Sequence, residues 1–149
     1  MNATTKVVLG IVLLMFGCAI YLLFRSKSLN IYQWCLSLGI SQMIDYARIL
    51  VCNWNVPDFI KYSLPDGLYC AAYILIVDAI WQDSDSLIKH FIVSLVPVIT
   101  ITSEVLQFFG LVKGTFDYCD LILYSAPFFA YYLYKYYSLK FNKFQFQGL

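Results

Sequence analysis

Residues 7–24, "VVLGIVLLMFGCAIYLLF", run for 18 positions without a charge, between Lys6 and Arg25. A helix of that length and apolarity reaches across a bilayer core. A soluble fold would have to bury this run and every other like it. The chain has 149 residues, 61% of them hydrophobic and only 13% charged. Ordinary soluble domains carry about 25% charged residues, so one core of this size cannot hide so much apolar surface. An all-α, polytopic integral membrane bundle follows, because a chain in lipid must pair its own amides. A net charge of +1 gives no basic field for nucleic acid.

The first run is not read as a signal peptide. It is too long, it leads into Arg25 and Lys27, and it lacks a small-residue cleavage site. Five cysteines, at 18, 35, 52, 70 and 119, show no C-x-x-C or metal-ligand spacing and read as small packing residues. The whole chain, 1–149, reads as one transmembrane domain with spans near 7–24, 31–53, 66–81, 90–110 and 117–136. Pro97 and Pro127 are expected to kink the last two. The segment 55–67, with Pro57 and Pro65, reads as the main loop.

The topology turns on residues 31–53. If they only lie at the surface, four spans remain, and Lys6, Lys89, Lys135, Lys140 and Lys143 oppose Arg25, Lys27, Arg48, Lys61 and Lys113. That tie carries no orientation. If they cross, Arg25, Lys27, Lys89, Lys135, Lys140 and Lys143 share a side against Lys6, Lys61 and Lys113. The positive-inside rule then puts the N-terminus outside and the C-terminus in the cytoplasm. The aromatic, basic tail "YYLYKYYSLKFNKFQF" suits a cytoplasmic interface. Five spans in the inner or cytoplasmic membrane are therefore expected, with four plus an interfacial helix as the alternative. Gln33, Ser37, Ser41 and Asp45, with Arg48 next, would form a narrow polar stripe on such a spanning helix.

Depth brings the polar groups together. At 1.5 Å per residue, Arg48 lies ~8 Å, Asp45 ~12 Å, Glu104 ~9 Å, and Gln107 and Asp120 ~5 Å below the outer boundary. Thr100, Ser103, Glu104 and Gln107 share one helix face; Asp117, Asp120 and Tyr124 share another. The expected pocket is thus Glu104, Gln107, Asp117, Asp120, Arg48, Asp45 and Tyr124, open to the outside. The cytoplasmic half holds only a loose set, Asp78, Asp83 and Asp85. Structural roles compete: Asp45 and Arg48 as a self-neutralising pair, Ser63 with Asp66 as a capping box, Gln107 as interhelical glue and Asp117 as a helix start. Glu104 and Asp120 are harder to dismiss, since carboxylates within a membrane cost energy and mark function by default.

The segments "SEVLQ" (103–107) and "GTFDYCD" (114–120) resemble the VanZ-like family of small bacterial membrane proteins. The family pattern has a membrane Glu, a Gln three residues on, a turn, and an R-x-F-D-x-x-D-like run. Glu104, Gln107, Asp117 and Asp120 fall on it. Gly114 stands where that pattern has Arg, Tyr124 where it has Asn, and Pro127 where it has Gly. The resemblance implies a bacterial cell-envelope role, in a family named after teicoplanin resistance. It carries no reaction.

The first functional expectation is a binding protein whose acidic pocket takes a lipid headgroup, glycan or glycopeptide-type ligand. Excess carboxylates favour a cationic or hydroxyl-rich partner, and Arg48 is the candidate cation in place of the family's Arg. The second is an envelope-lipid enzyme with Glu104 as base and a divalent cation on Asp117 and Asp120. No recognised catalytic motif supports it, and the first reading needs no cofactor. The third is a non-catalytic subunit beside a membrane-protein partner.

Overall fold

The computed structural model describes residues 1–147, with backbone alone for Leu139 and residues 141–147. Among the described residues seven helices follow one another: α1 (Ala3–Phe24), α2 (Asn30–Ser37), α3 (Ser41–Val51), α4 (Asp58–Tyr62), α5 (Leu64–Ile80), α6 (Leu87–Phe108) and α7 (Tyr118–Gln147). No strand occurs among the described residues. The expected all-helical chain is what forms.

Two helices, α1 and α6, are long and apolar enough to cross a membrane, each 22 residues with mean hydropathies of 2.8 and 1.8. At 1.5 Å per residue each is about 33 Å long. Only 17% of each apolar window is buried inside the protein. Val8, Ile11, Val12, Met15 and Phe16 of α1 and Val98 and Ile99 of α6 point outward. A soluble core helix would bury such residues, so these two surfaces suit lipid.

Small residues set the packing. In α1, a Cβ on Gly10 would lie 2.6 Å from Ile76 Cγ1, and one on Gly17 would lie 2.8 Å from Tyr69 Cε1. The sequence order of those partners makes α1 and α5 antiparallel. Gly67 lets α5 meet α7 backbone to backbone, where a Cβ would fall 2.9 Å from Leu123 Cβ. Close approach at small residues is how helices associate where no hydrophobic force separates them from their solvent. Cys70, Ile74 and Val93 form the core, with Tyr73, Val77, Tyr124, Phe128 and Tyr131 against them. Ser94 and Tyr132 share a hydrogen bond of 2.7 Å between the antiparallel α6 and α7. Both long helices continue through Pro97 and Pro127. Around the first proline, the Thr100 hydroxyl donates to the carbonyls of Val96 and Pro97.

The expected single helix over 31–53 does not form. It breaks at Leu38–Ile40, where Gly39 adopts φ 75°. The Ile40 N–H turns back to the Cys35 carbonyl and closes α2, a glycine-terminated helix end. The two pieces have 8 and 11 residues, about 12 and 17 Å, each short of a ~30 Å hydrocarbon core. The polar stripe is broken with it: Gln33 bonds the Lys27 carbonyl and Ser37 the Gln33 carbonyl.

A second expectation changes as a result. Lys6 near the start of α1 and Tyr131 in α7 both reach Asp78 of α5. The start of α1 and the middle of α7 therefore lie at the same end of the bundle, beside Asp78. The capping box at α5 is also absent: Ser63 is helical, at φ −95° and ψ −39°, and its side chain caps nothing.

Candidate functional site

Three helix ends meet at the end of the bundle away from Lys6. The first turn of α5 presents Asp66, the last turn of α6 presents Glu104, and α7 begins with Asp117 just outside it and Asp120 in its first turn. The starts of α5 and α7 suit carboxylates, because the helix dipole is positive there. Asp66, Glu104 and Asp120 lie within electrostatic range of one another, and Tyr124 faces all three. Glu104 is only 6% exposed. Among the described residues its one hydrogen bond is a long one, 3.5 Å, from the Asp117 N–H. Asp120 Oδ1 is buried and has no hydrogen-bond partner among the described residues.

Asp117 does structural duty. Its exposed carboxylate accepts the Cys119 N–H at 2.8 Å, tying down the first turn of α7. Gln107 lies under the loop that joins α6 to α7. Gly114 there has φ 150°, and a Cβ on it would fall 2.6 Å from Gln107 Cδ. No Arg fits that place without moving the loop or Gln107. At φ 150° an L side chain is strained, so glycine rather than the arginine of the R-x-F-D pattern suits this backbone.

The cation at this end is Arg25, not Arg48. Arg25 caps the C-terminus of α1 and stands 4.0 Å from Asp66 Oδ2. Its guanidinium donates to Tyr21 Oη and the Tyr62 carbonyl, both at 2.8 Å, between the two tyrosine rings. Arg48 instead donates to the Leu22 carbonyl at 2.6 Å and the Arg25 carbonyl at 2.5 Å, clamping α3 to the end of α1. Asp45 is likewise outside the pocket. It accepts Tyr32 Oη at 2.9 Å and pairs with Lys27 at 2.6 Å. The Lys27 ammonium, then the Tyr32 hydroxyl, hold its carboxyl below the usual range. Of the seven expected residues, the fold gathers Glu104, Asp120 and Tyr124, with Gln107 and Asp117 at their edge. Arg25 and Asp66 complete the group.

The expectation of a loose acidic set at the other end is wrong. Asp78, 6% exposed, accepts Lys6 at 2.6 Å on one oxygen, and Lys89 and Tyr131, both at 2.8 Å, on the other. Lys89 is itself buried and also bonds the Trp81 carbonyl at 2.8 Å. Asp85 pairs with Lys135 at 2.5 Å and with His90 at 3.3 Å. No sequence motif marks this network, since its bonded partners lie up to 72 residues apart.

Chemically, the acidic end sets three carboxylates and a tyrosine hydroxyl against one guanidinium, so it is suited to accept hydrogen bonds and positive charge. Among the described residues, no three His, Cys, Asp or Glu side chains converge in metal-ligand fashion. All five cysteines are free thiols. Comparison with protein-family profiles, characterised proteins and solved structures returns no match for this chain.

Proposed function

We propose that this chain is a VanZ-like bacterial envelope protein whose acidic end binds a cationic or hydroxyl-rich group, such as a lipid headgroup, glycan or glycopeptide. The observation that carries the proposal is the state of Glu104 and Asp120. Among the described residues, one is almost wholly buried with a single long hydrogen bond, and the other has a buried oxygen with no partner. Carboxylates in helix ends otherwise find donors, because leaving them unpaired costs about 1–3 kcal/mol or more. Three carboxylates against Arg25 leave an excess of negative charge for a ligand to neutralise.

In this reading α1, α5, α6 and α7 cross the membrane, and α2 and α3 lie at one face as interfacial helices. The broken helix over 31–53 supports four crossings over five. Both ends of the chain then share a side. The count over the whole chain is a tie, so the orientation is taken from clustering alone: Lys135 and Lys140 follow one another in the tail, with Lys143 outside the described side chains, and a basic juxtamembrane run is drawn to the anionic cytoplasmic leaflet. The acidic end accordingly faces out.

The test uses detergent-purified protein and three lipids. Lysyl-phosphatidylglycerol offers an ammonium headgroup, diglucosyl-diacylglycerol offers hydroxyls, and phosphatidic acid is an anionic comparison. The first two should raise Tm through the acidic end, whereas any rise with phosphatidic acid should be the same whether or not that end keeps its carboxylates. Glu104→Gln and Asp120→Asn should remove the response to the first two while leaving a cooperative melt. Loss of a phosphatidic acid response in these variants, or an unchanged response to the first two lipids in both, would refute the acidic-site reading.

A further inference from the structure

The opposite end of the bundle carries a second site of opposite sign. α1 and α7 flank α5 and leave a groove over it, with a cavity of about 600 Å³. Its walls are apolar along Ala71, Ile74 and Leu75 of α5 and Pro127, Ala130 and Tyr134 of α7. Its polar end holds Lys6, Lys89, Lys135, Asp78 and Asp85. Small alanines on both walls keep it open. The groove therefore has an apolar trough and a charged end.

The charge at that end does not balance. Lys6 and Lys89 share the single carboxylate of Asp78, and their side chains are only 13% and 4% exposed. Lys135 is paired with the more exposed Asp85. Three ammonium groups against two carboxylates leave one positive charge. An uncompensated charge held in a low dielectric is costly, and a monoanion there would neutralise it. Lys6 Nζ makes one hydrogen bond among the described residues and has donors left for such a group.

We propose that this groove binds an anionic phospholipid, with its phosphate at Lys6, Lys89 and Lys135 and an acyl chain along the trough between α5 and α7. The bilayer leaflet supplies the ligand, and charge and shape are complementary along the same axis. The proposal rests on the membrane placement of the helices and is independent of the acidic site.

Native mass spectrometry of the detergent-purified chain tests it. Dioleoyl-phosphatidylglycerol should be retained in preference to dioleoyl-phosphatidylcholine. Lys6→Gln and Lys135→Gln should each lower that preference roughly fivefold, the worth of one lysine near an anionic headgroup. Ala130 is exposed, so Ala130→Phe should fold; it should expel the lipid, whereas Ala130→Ser should not. Glycerol phosphate, a headgroup without chains, should not compete. Equal retention of both lipids overturns the proposal, as does displacement by glycerol phosphate or full retention in Ala130→Phe. Should the lysine variants misfold, the Ala130 pair decides alone. A chain that stays monodisperse without detergent would instead overturn the membrane reading itself.

Discussion

Arg48 and Arg25 carry like charge, yet the Arg48 guanidinium donates to the main-chain carbonyl of Arg25 at 2.5 Å. The last carbonyls of α1 have no partner of their own, and a cation at a helix C-terminus also meets the negative end of the dipole. One arginine thus holds the backbone of the other, which in turn stands beside Asp66. The clamp also attaches α3, which has no buried residue, to the bundle.

Arg48→Met should keep the aliphatic stem but release α3. With two hydrogen bonds from a charged donor lost, the expected cost is about 2–4 kcal/mol. Hydrogen exchange should quicken in α2 and α3 while α5 and α6 stay protected. Uniform exchange across the bundle would contradict a local clamp.

The break between α2 and α3 depends on Gly39, whose φ of 75° has no neighbouring atom within 4 Å. Substitution there is opposed by backbone conformation, not by packing. Gly39→Ala should cost about 1–2 kcal/mol, and Gly39→Asn less. Gly67→Ala should instead cost about 1–3 kcal/mol through overpacking, since the new methyl meets the Leu123 backbone. Thermal melts of the three variants check this ranking of causes.

At the buried charge network, Asp78→Asn should be far worse than Lys6→Gln. Losing the carboxylate leaves two buried ammonium groups facing each other, an expected loss of about 3–5 kcal/mol. Losing Lys6 leaves Lys89 and Asp78 as a neutral pair. Denaturant melts on the two variants distinguish them; equal losses would mean the network is not coupled.

The exposed Lys27–Asp45 pair should stabilise the fold only between two pH limits. The Lys27 hydrogen bond lowers the Asp45 carboxyl, so its contribution is present above the ordinary value near 3.9 and is lost as pH falls through the folded value. The Asp45 hydrogen bond raises Lys27, so that contribution is present below about 10.4 and is lost as pH rises through the folded value. The Tm difference between the natural chain and Asp45→Asn should therefore vanish in acid and in strong base.

The long apolar runs made α1 and α6 legible as helices, and their depth along the chain marked Glu104 and Asp120. The helix over 31–53 misled because Gln33, Ser37, Ser41 and Asp45 keep a four-residue spacing straight through the break. Periodicity records which face a residue takes if the helix continues; it does not record that Gly39 ends it. Depth alone pairs Arg48 with the acidic residues, a measure that lapses once the helix is broken. Arg25 reads in the sequence as an end-of-span charge, although Tyr21 one turn earlier is the ring on which it lies. The Asp78 network was invisible for another reason: Lys6 reaches it only through the antiparallel contact of α1 with α5, and no local pattern encodes that pairing.

Cys119 sits between Asp117 and Asp120, is exposed, and reports directly on the acidic end. In intact cells carrying a Cys52→Ser background, a membrane-impermeant maleimide should label Cys119 without lysis. Labelling that appears only after the cells are permeabilised would place the acidic end in the cytoplasm and contradict an outward-facing site.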